Sequence, residues 1–392
     1  MQLINYFDSR GGLTTLIARM RHHQPNMPVQ LLRSYVEVLS RAGNLFAKPY
    51  AQTMVPQLKE GIFDTVLALS DIELRDLSKE VLEEIVKVVS SLLRRVEPTE
   101  TTRATVEFFN LAAAYRRFQS SVVERRINGL TALAEIVARV RYHTHYRTAI
   151  TPPQMLVYLA ENKVLETCFG KGSHPELMKR SLDIFRFIAQ EQKLEKRHLD
   201  LIWDAIRNAM RRQEDATLAI LFKLLDDIAY QFDLDHLLYL FDRMAEIPCE
   251  EYVSPTLDLI KELGRMSYKA GSGPNSGIIA ERSLELLWRC VLDESKTPPD
   301  VQTNARIKLE EMVADYQHRS QREPYLHKCI ANLQNHSSVP QSLDIMRKIL
   351  ESYQVQTHQI DEHSRAAVIE VRYIFLSLIV FLWFILTRVL WL

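Results

Sequence analysis

The feature that most restricts this chain is a helical period that recurs along its length with no competing period of two. Leu74, Leu77, Val81, Ile85, Val88 and Leu92 follow one another at steps of three and four. So do Leu130, Leu133, Ala134, Val137 and Val140, and again Leu218, Leu221, Phe222, Leu225, Ile228 and Ala229. Such steps return side chains to one stripe of a helix, whereas a half-buried strand needs strict alternation. An all-α fold is therefore expected. Composition agrees: only 11 of 392 residues are glycine, and 47% are hydrophobic. Few tight turns can be built from that supply, but a large core can.

Helix-start signals divide the periodic stretches. Ser70-Asp71-Ile72-Glu73 and Ser173-His174-Pro175-Glu176 read as capping boxes. Thr151-Pro152, Ser254-Pro255 and Thr297-Pro298 each put a cap residue before a proline at the first helical position. Helices are expected to begin near residues 3, 28, 48, 70, 98, 120, 151, 174, 197, 213, 234, 254, 277, 298, 320 and 340. A helix pair then repeats about every forty residues, the period of HEAT and armadillo arrays. The segment from His198 to Ile206 is echoed by His236 to Met244 and by Ser283 to Val291. Each has an aromatic at the equivalent place: Trp203, Phe241 and Trp288. Large rings at one point of successive repeats would fill the contact between neighbouring helix pairs. The expected architecture is an armadillo/HEAT-like α-solenoid of about eight helix pairs over residues 1–352, a linker at 353–372 and a hydrophobic helix at 373–392. Ala270 to Gly277 reads as a loop by composition.

Lysine plus arginine equals aspartate plus glutamate, 49 each, so no global field favours nucleic acid. The balance is local only on average. Residues 116–147 hold Arg116, Arg117, Arg125, Arg126, Arg139, Arg141 and Arg147 against Glu124 and Glu135, and residues 226–251 hold eight acids against Arg243. Both stretches are candidates for solvated faces or for partner surface; Arg125, Arg126, Arg139 and Arg141 are the candidate partner residues.

No catalytic pattern accompanies the helices. Gly170-Lys171-Gly172-Ser173 lacks the spacing of a phosphate loop, and neither His-Glu-x-x-His nor Gly-x-Ser-x-Gly occurs. Cys168, Cys249, Cys290 and Cys329 match no zinc or disulfide spacing. His143-Thr144-His145 has no third ligand nearby in sequence, so no metal or cofactor is expected. Cys168 is followed by Lys171 and His174, yet Leu165 to Phe169 reads as the apolar end of a short helix and the thiol as a structural one. The N-terminus has no cationic, apolar leader, and a reducing, cytoplasmic setting follows.

Between residues 150 and 230 the chain resembles a known family. Leu156 to Glu166, Phe169-Gly170, Leu182 to Ala189 and His198 to Trp203 are similar to the armadillo-type region ahead of the catalytic domain in the very large fat-facets-like ubiquitin-specific proteases. Leu284 to Trp288 looks like the next Trp-bearing helix, and weaker likeness extends over about residues 3–352. The resemblance implies a thiol-protease deubiquitinase elsewhere in such proteins. Its Asn-Thr-Cys and downstream His motifs do not occur in this chain, so no catalytic residue is carried over. The expected role is a non-catalytic protein-interaction scaffold of the deubiquitination pathway, on a partial or truncated chain whose residues after about 353 are foreign to the family.

The alternative is a membrane-tethered α-solenoid adaptor with no enzymatic role. Residues 373–392 are apolar except for Ser377, Thr387 and Arg388. A helix of that length would span the roughly 30 Å hydrocarbon core. Arg365 and Arg372 precede it and would keep the body of the chain in the cytoplasm.

Overall fold

The computed structural model describes residues 6–357, apart from 8, 44, 143–146, 171 and 267–276. Among the described residues every regular element is a helix and no strand occurs. The chain divides into two compact units, 1–231 and 232–392.

In the first unit α1 (Gly12–His22), α2 (Val29–Gly43), α3 (Lys48–Ala68) and α4 (Lys79–Leu93) are followed by α5 (Thr99–Phe118) and α6 (Val123–Arg141). Four short helices come next: α7 (Pro152–Glu161), α8 (Val164–Phe169), α9 (Pro175–Arg180) and α10 (Leu182–Gln190). The unit closes with α11 (Lys196–Arg212) and α12 (Asp215–Ala229). The second unit contains α13 (Leu234–Ala245), α14 (Ser254–Arg265), α15 (Ile278–Val291), α16 (Pro299–Ala314), α17 (Arg322–Gln334) and α18 (Val339–Thr357).

Within each unit helices pack on near neighbours in sequence, most regularly on the next but one. In the first, α1 meets α3, α2 meets α4 and α3 meets α5; in the second, α13 meets α15, α14 meets α16 and α16 meets α18. Sequence neighbours are thus spatial neighbours, the arrangement of an α-solenoid. Hydrogen bonds fix the register between repeats. Arg95 Nη2 donates to Phe46 O at 2.9 Å and Arg117 Nη2 to Leu77 O at 2.9 Å. In the second unit Asp293 N donates to Ser338 Oγ at 2.9 Å and Asn304 Nδ2 to Ser254 Oγ at 2.9 Å. Each of these links spans 40 to 50 residues, about one repeat.

The α5–α6 pair is the most intimate of the stack, and Gly129 is the reason. A Cβ there would stand 2.3 Å from Phe118 N and 2.8 Å from Ala114 O, so only glycine lets the two backbones approach this closely. At Gly264 the corresponding obstruction is side chain, Ser283 Oγ at 2.5 Å and Met312 Cε at 2.6 Å.

Several local expectations need correction. The helix expected from residue 70 starts at Lys79, with Ser78 Oγ accepting from Val81 N at 3.3 Å. Leu74 and Leu77 are buried, but in a single 3-10 turn (Glu73–Arg75) and the loop after it. Ser70 Oγ does accept from Glu73 N, at 3.4 Å, yet Asp71 is drawn away by Ser121 and Arg116 of the following repeat. At Ser173-His174 the cap is the histidine, whose Nδ1 accepts from Glu176 N at 3.2 Å. Helix α16 begins at Pro299 with Pro298 as its cap residue, one place later than expected from Thr297-Pro298. Lys163, at φ 48°, separates α7 from α8, a break the periodicity does not signal. Helix α18 runs to Thr357, five residues into the expected linker. The expected loop at 270–277 falls almost wholly outside the described residues, as do His143, His145 and the hydrophobic segment 373–392.

Candidate functional site

The three repeat aromatics lie inside the stack. Trp203 of α11 and Phe241 of α13 are each 1% exposed, and Trp288 of α15 is 6% exposed. Trp288 packs edge-on against Tyr325 of α17, ring centroids 5.4 Å apart, with Lys328 Nζ 4.5 Å from the Tyr325 ring. That contact joins successive helix pairs. Such rings stabilise the stack and are inaccessible to a partner.

Cys168 is fully buried in α8, and burial pushes its thiol well above the ordinary range. A neutral, solvent-shielded thiol is a packing group and not a nucleophile.

The four candidate arginines all lie on or at the end of α6, but the helix divides them. Arg125 and Arg139 are fourteen residues apart, close to four full turns, so they share one face. Each lines an open groove of about 1170 Å³ between α4, α5 and α6. Arg126 and Arg141 face other helices. The Arg126 guanidinium is 5.9 Å from the Phe118 ring centroid, and its Nη2 donates to Thr167 O of α8 at 3.5 Å. Arg141 Nε donates to Gln190 Oε1 at the end of α10. The cluster read from sequence is therefore two pairs with different surroundings.

The groove collects further charge from other elements. Arg75, Lys79 and Lys87 stand along it with Arg117, Arg125 and Arg139, against the carboxylates Glu83, Glu124 and Glu135. Some of these cations are engaged. Arg75 Nε lies 3.0 Å from Asp76 Oδ1, Arg117 holds Leu77 O, and Arg125 donates to Asp71 O. Burial lowers the Arg117 pKa, yet its guanidinium remains charged at neutral pH. The Asp71 carboxylate is held at about 2 by hydrogen bonds from Ser121 Oγ and N, with Arg116 adding to them against partial desolvation. Lys87 on the α4 wall and Arg139 on the α6 wall are exposed, and among the described residues neither makes a hydrogen bond or an ion pair. Arg117, Arg125 and Arg139 belong to the basic stretch read in the sequence, the last two among its candidate partner residues; Lys87 lies on another helix 52 residues from Arg139, and only packing brings it to the same groove.

A second, apolar cleft of about 350 Å³ is formed by α7, α8 and α11. Leu156, Val157, Leu165 and His198 line it, so the strings that carry the family resemblance converge there. The acidic stretch 226–251 is partly used within the fold: Asp233 Oδ1 accepts from His236 N at 2.8 Å, Glu246 pairs with Arg243 at 3.0 Å, and Asp242 lies 3.8 Å from Arg282 of α15. Among the described residues no group of three His, Cys, Asp or Glu side chains could hold a metal ion, and no helix is long and apolar enough to cross a membrane.

Comparison with known proteins agrees with this architecture. The chain is 26% identical over 270 residues to ubiquitin carboxyl-terminal hydrolase 9X of Mus musculus, covering 65% of the chain and 10% of that protein. It is 25% identical over 242 residues to ubiquitin carboxyl-terminal hydrolase 9Y of Homo sapiens, 58% of the chain and 9% of that protein. It is 23% identical over 294 residues to probable ubiquitin carboxyl-terminal hydrolase FAF of Drosophila melanogaster, 70% of the chain and 10% of that protein. The chain thus spans about a tenth of the length of the curated relatives it matches. No solved structure gives a significant match. The model of the UBP24/USP9X/USP9Y ARM repeat matches residues 104–379, running past the expected boundary at 352 and into the first part of the hydrophobic segment. With a match over that much of its length, the chain belongs to the UBP24/USP9X/USP9Y ARM repeat family.

Proposed function

We propose that this chain is a non-catalytic protein-interaction region of a ubiquitin-specific protease, working in a reducing, cytoplasmic setting. Its partner surface is the groove between α4, α5 and α6, and the partner presents an acidic segment. The observation that carries the reading is the pair Lys87 and Arg139, two exposed cations on opposite walls, neither paired with a carboxylate among the described residues. Desolvated by a partner's carboxylates, such cations steer association and fix register. Their reversal, Lys87→Glu with Arg139→Glu, is expected to weaken binding of a fluorescent Asp/Glu-rich peptide about tenfold at low salt. Reversal of Arg126 and Arg141 is expected to leave it within about twofold, since those side chains serve other helices. Fluorescence anisotropy against ionic strength checks both. Equal effects of the two pairs would defeat the assignment of the groove.

A second reading, a membrane-tethered adaptor, is favoured by one sequence observation: twenty consecutive residues, 373–392, with Arg388 as their only charge. The full chain is then expected to sediment with membranes and resist carbonate extraction, while a chain ending at Gln354 stays in the supernatant. Full-length chain that is monomeric without detergent would remove this reading.

A further inference from the structure

Two surfaces of this chain carry opposite charge over similar lengths. The groove of the first unit offers the exposed Lys79 and Lys87 on its α4 wall and Arg139 on its α6 wall, none of them in an ion pair among the described residues. Lys79 and Lys87 are eight residues apart, about 12 Å along the helix, and Arg125 and Arg139 fourteen, about 21 Å. In the second unit α13 buries Leu237, Leu240, Phe241 and Met244 and turns the opposite stripe to solvent. That stripe is acidic. Asp235, Asp242 and Glu246 recur at steps of seven and four, and the exposed Glu250 and Glu251 follow in the next 3-10 turn. From Asp235 to Glu246 the stripe is about 16 Å long. Among the described residues the carboxylates of Asp235, Glu250 and Glu251 make no hydrogen bond or ion pair. Asp242 and Glu246 pair with Arg282 and Arg243, but both carboxylates stay exposed, and such pairs are weak and exchange readily.

We propose that the acidic partner of the groove is α13 of a second copy of this chain; the inference rests on the groove being the partner surface. Charge complementarity carries it. Lysine plus arginine equals aspartate plus glutamate over the whole chain, 49 each, so no net repulsion keeps two copies apart. That neutral sum is made of unlike surfaces, a groove with unpaired cations and a helix whose solvent stripe is a row of carboxylates. Each copy therefore carries both halves of one contact. The groove is not uniformly basic, since Glu83, Glu124 and Glu135 also line it. These carboxylates suit a partner that brings an occasional cation, as α13 does with the exposed Arg282 beside Asp242. Like charges opposed at any other register would cost affinity, so the mixed pattern sets the register as well as the attraction. Because groove and stripe are different surfaces, the contact is head-to-tail. It closes as two reciprocal contacts or continues to a third copy.

The test is sedimentation equilibrium of the full chain. At low salt the average mass should rise above that of the monomer as the concentration approaches about 100 µM, and return to it near 0.5 M salt, roughly. Lys87→Glu with Arg139→Glu makes the groove acidic; Asp235→Lys with Asp242→Lys and Glu246→Lys makes the stripe basic. Each variant alone then opposes like charges and should associate at least about tenfold more weakly. Mixed together, the two should associate again, because the basic groove of one meets the acidic stripe of the other. The apolar segment 373–392 is common to all the chains and cannot produce that pattern. Every substituted side chain is exposed, so helix content by circular dichroism should not change. Arg19→Glu with Arg211→Glu alters net charge as much as the groove variant, at exposed positions outside the groove lining, and should associate like the wild type. A wild-type chain that stays monomeric at low salt, association that survives either reversal, or equal loss in the Arg19 and Arg211 variant would overturn the proposal. The groove itself is judged apart from this, by the acidic peptide. If the chain is monomeric throughout but the peptide still distinguishes wild type from the Lys87 and Arg139 variant, only the self-contact fails.

Discussion

The two units stack helix pairs in the same order but tie their repeats together with different chemistry. In the first, arginines reach to main-chain carbonyls about one repeat away: Arg95 back to Gly43 and Phe46, Arg116 back to Leu69, Arg117 back to Leu77, and Arg126 forward to Thr167. Gly43 ends α2 and Leu69 caps α3, so these guanidinium groups satisfy carbonyls that a helix end leaves orphaned. In the second unit the links are mostly between side chains on helix flanks: Lys261 with Glu311, Lys308 with Asp258, Lys328 with Glu285, and Arg306 with Asp344. Arg289 on Ala245 O is the second unit's version of the first device. A solenoid interface thus needs a fixed register, and either helix-end carbonyls or surface ion pairs can supply it. The two differ in their response to salt and to truncation, because an orphaned carbonyl costs more than an exposed carboxylate.

The largest effects should come from the two repeat tryptophans, one in each unit. Trp203→Ala and Trp288→Ala are each expected to destabilise their unit by roughly 3–5 kcal/mol, from lost apolar burial plus a cavity. Trp203 should sit at the upper end, since it is more deeply buried and Lys328 can partly fold over the Trp288 gap. Denaturant melts followed by tryptophan fluorescence check this, and a change below about 0.5 kcal/mol at either site would show that the echo between the repeats has no structural meaning.

The linking chemistry gives the next test. Arg117→Ala strips Leu77 O of its donor and is expected to cost about 1–3 kcal/mol, little altered by salt. Lys328→Ala removes an exposed ion pair and a contact with the Tyr325 ring, at about 0.5–1.5 kcal/mol, most of it lost at high salt. Equal salt dependence of the two variants would erase the distinction between the units.

The smallest effect concerns acid. His318 in the second unit is fully buried, and among the described residues neither ring nitrogen has a hydrogen-bond partner. Burial holds its pKa below the ordinary 6.5, reinforced by Arg265 and opposed by Asp315. The unfolded chain therefore binds a proton that the folded one refuses, and stability present above pH 6.5 declines as pH falls below it. The slope is at most about 1.4 kcal/mol per pH unit. Asp71 in the first unit has the same sign but a lower window, its contribution fading between pH 3.8 and about 2. Hydrogen exchange read separately on α5 and α16 should show α16 loosening first between pH 6.5 and 5, and His318→Gln should remove that lead. Simultaneous loosening of both helices would contradict it.

Much of the helix framework follows from local pattern. Expected starts near 28, 48, 98, 151, 234, 254 and 277 lie within one residue of α2, α3, α5, α7, α13, α14 and α15. The misreadings have local or tertiary causes that can be named. Leu74 and Leu77 keep the apolar period although the backbone leaves the helix, because their burial is compatible with a turn and Asp71 is recruited from 50 residues away. Gly129 lies inside α6, where the absence of a Cβ is what lets α5 approach, a contact that no local pattern reports.

The sequence alone therefore determined what depends on neighbours within about four residues: an all-helical chain, its period, many of its helix starts, and the strings that mark its family. Tertiary structure decided everything set by contacts about one repeat away. It divided Arg125 and Arg139 from Arg126 and Arg141, and placed Lys87 opposite Arg139. The physical reason is that a helix angle of about 100° per residue fixes which side chains share a face, while which helix covers that face depends on the packing of the whole stack.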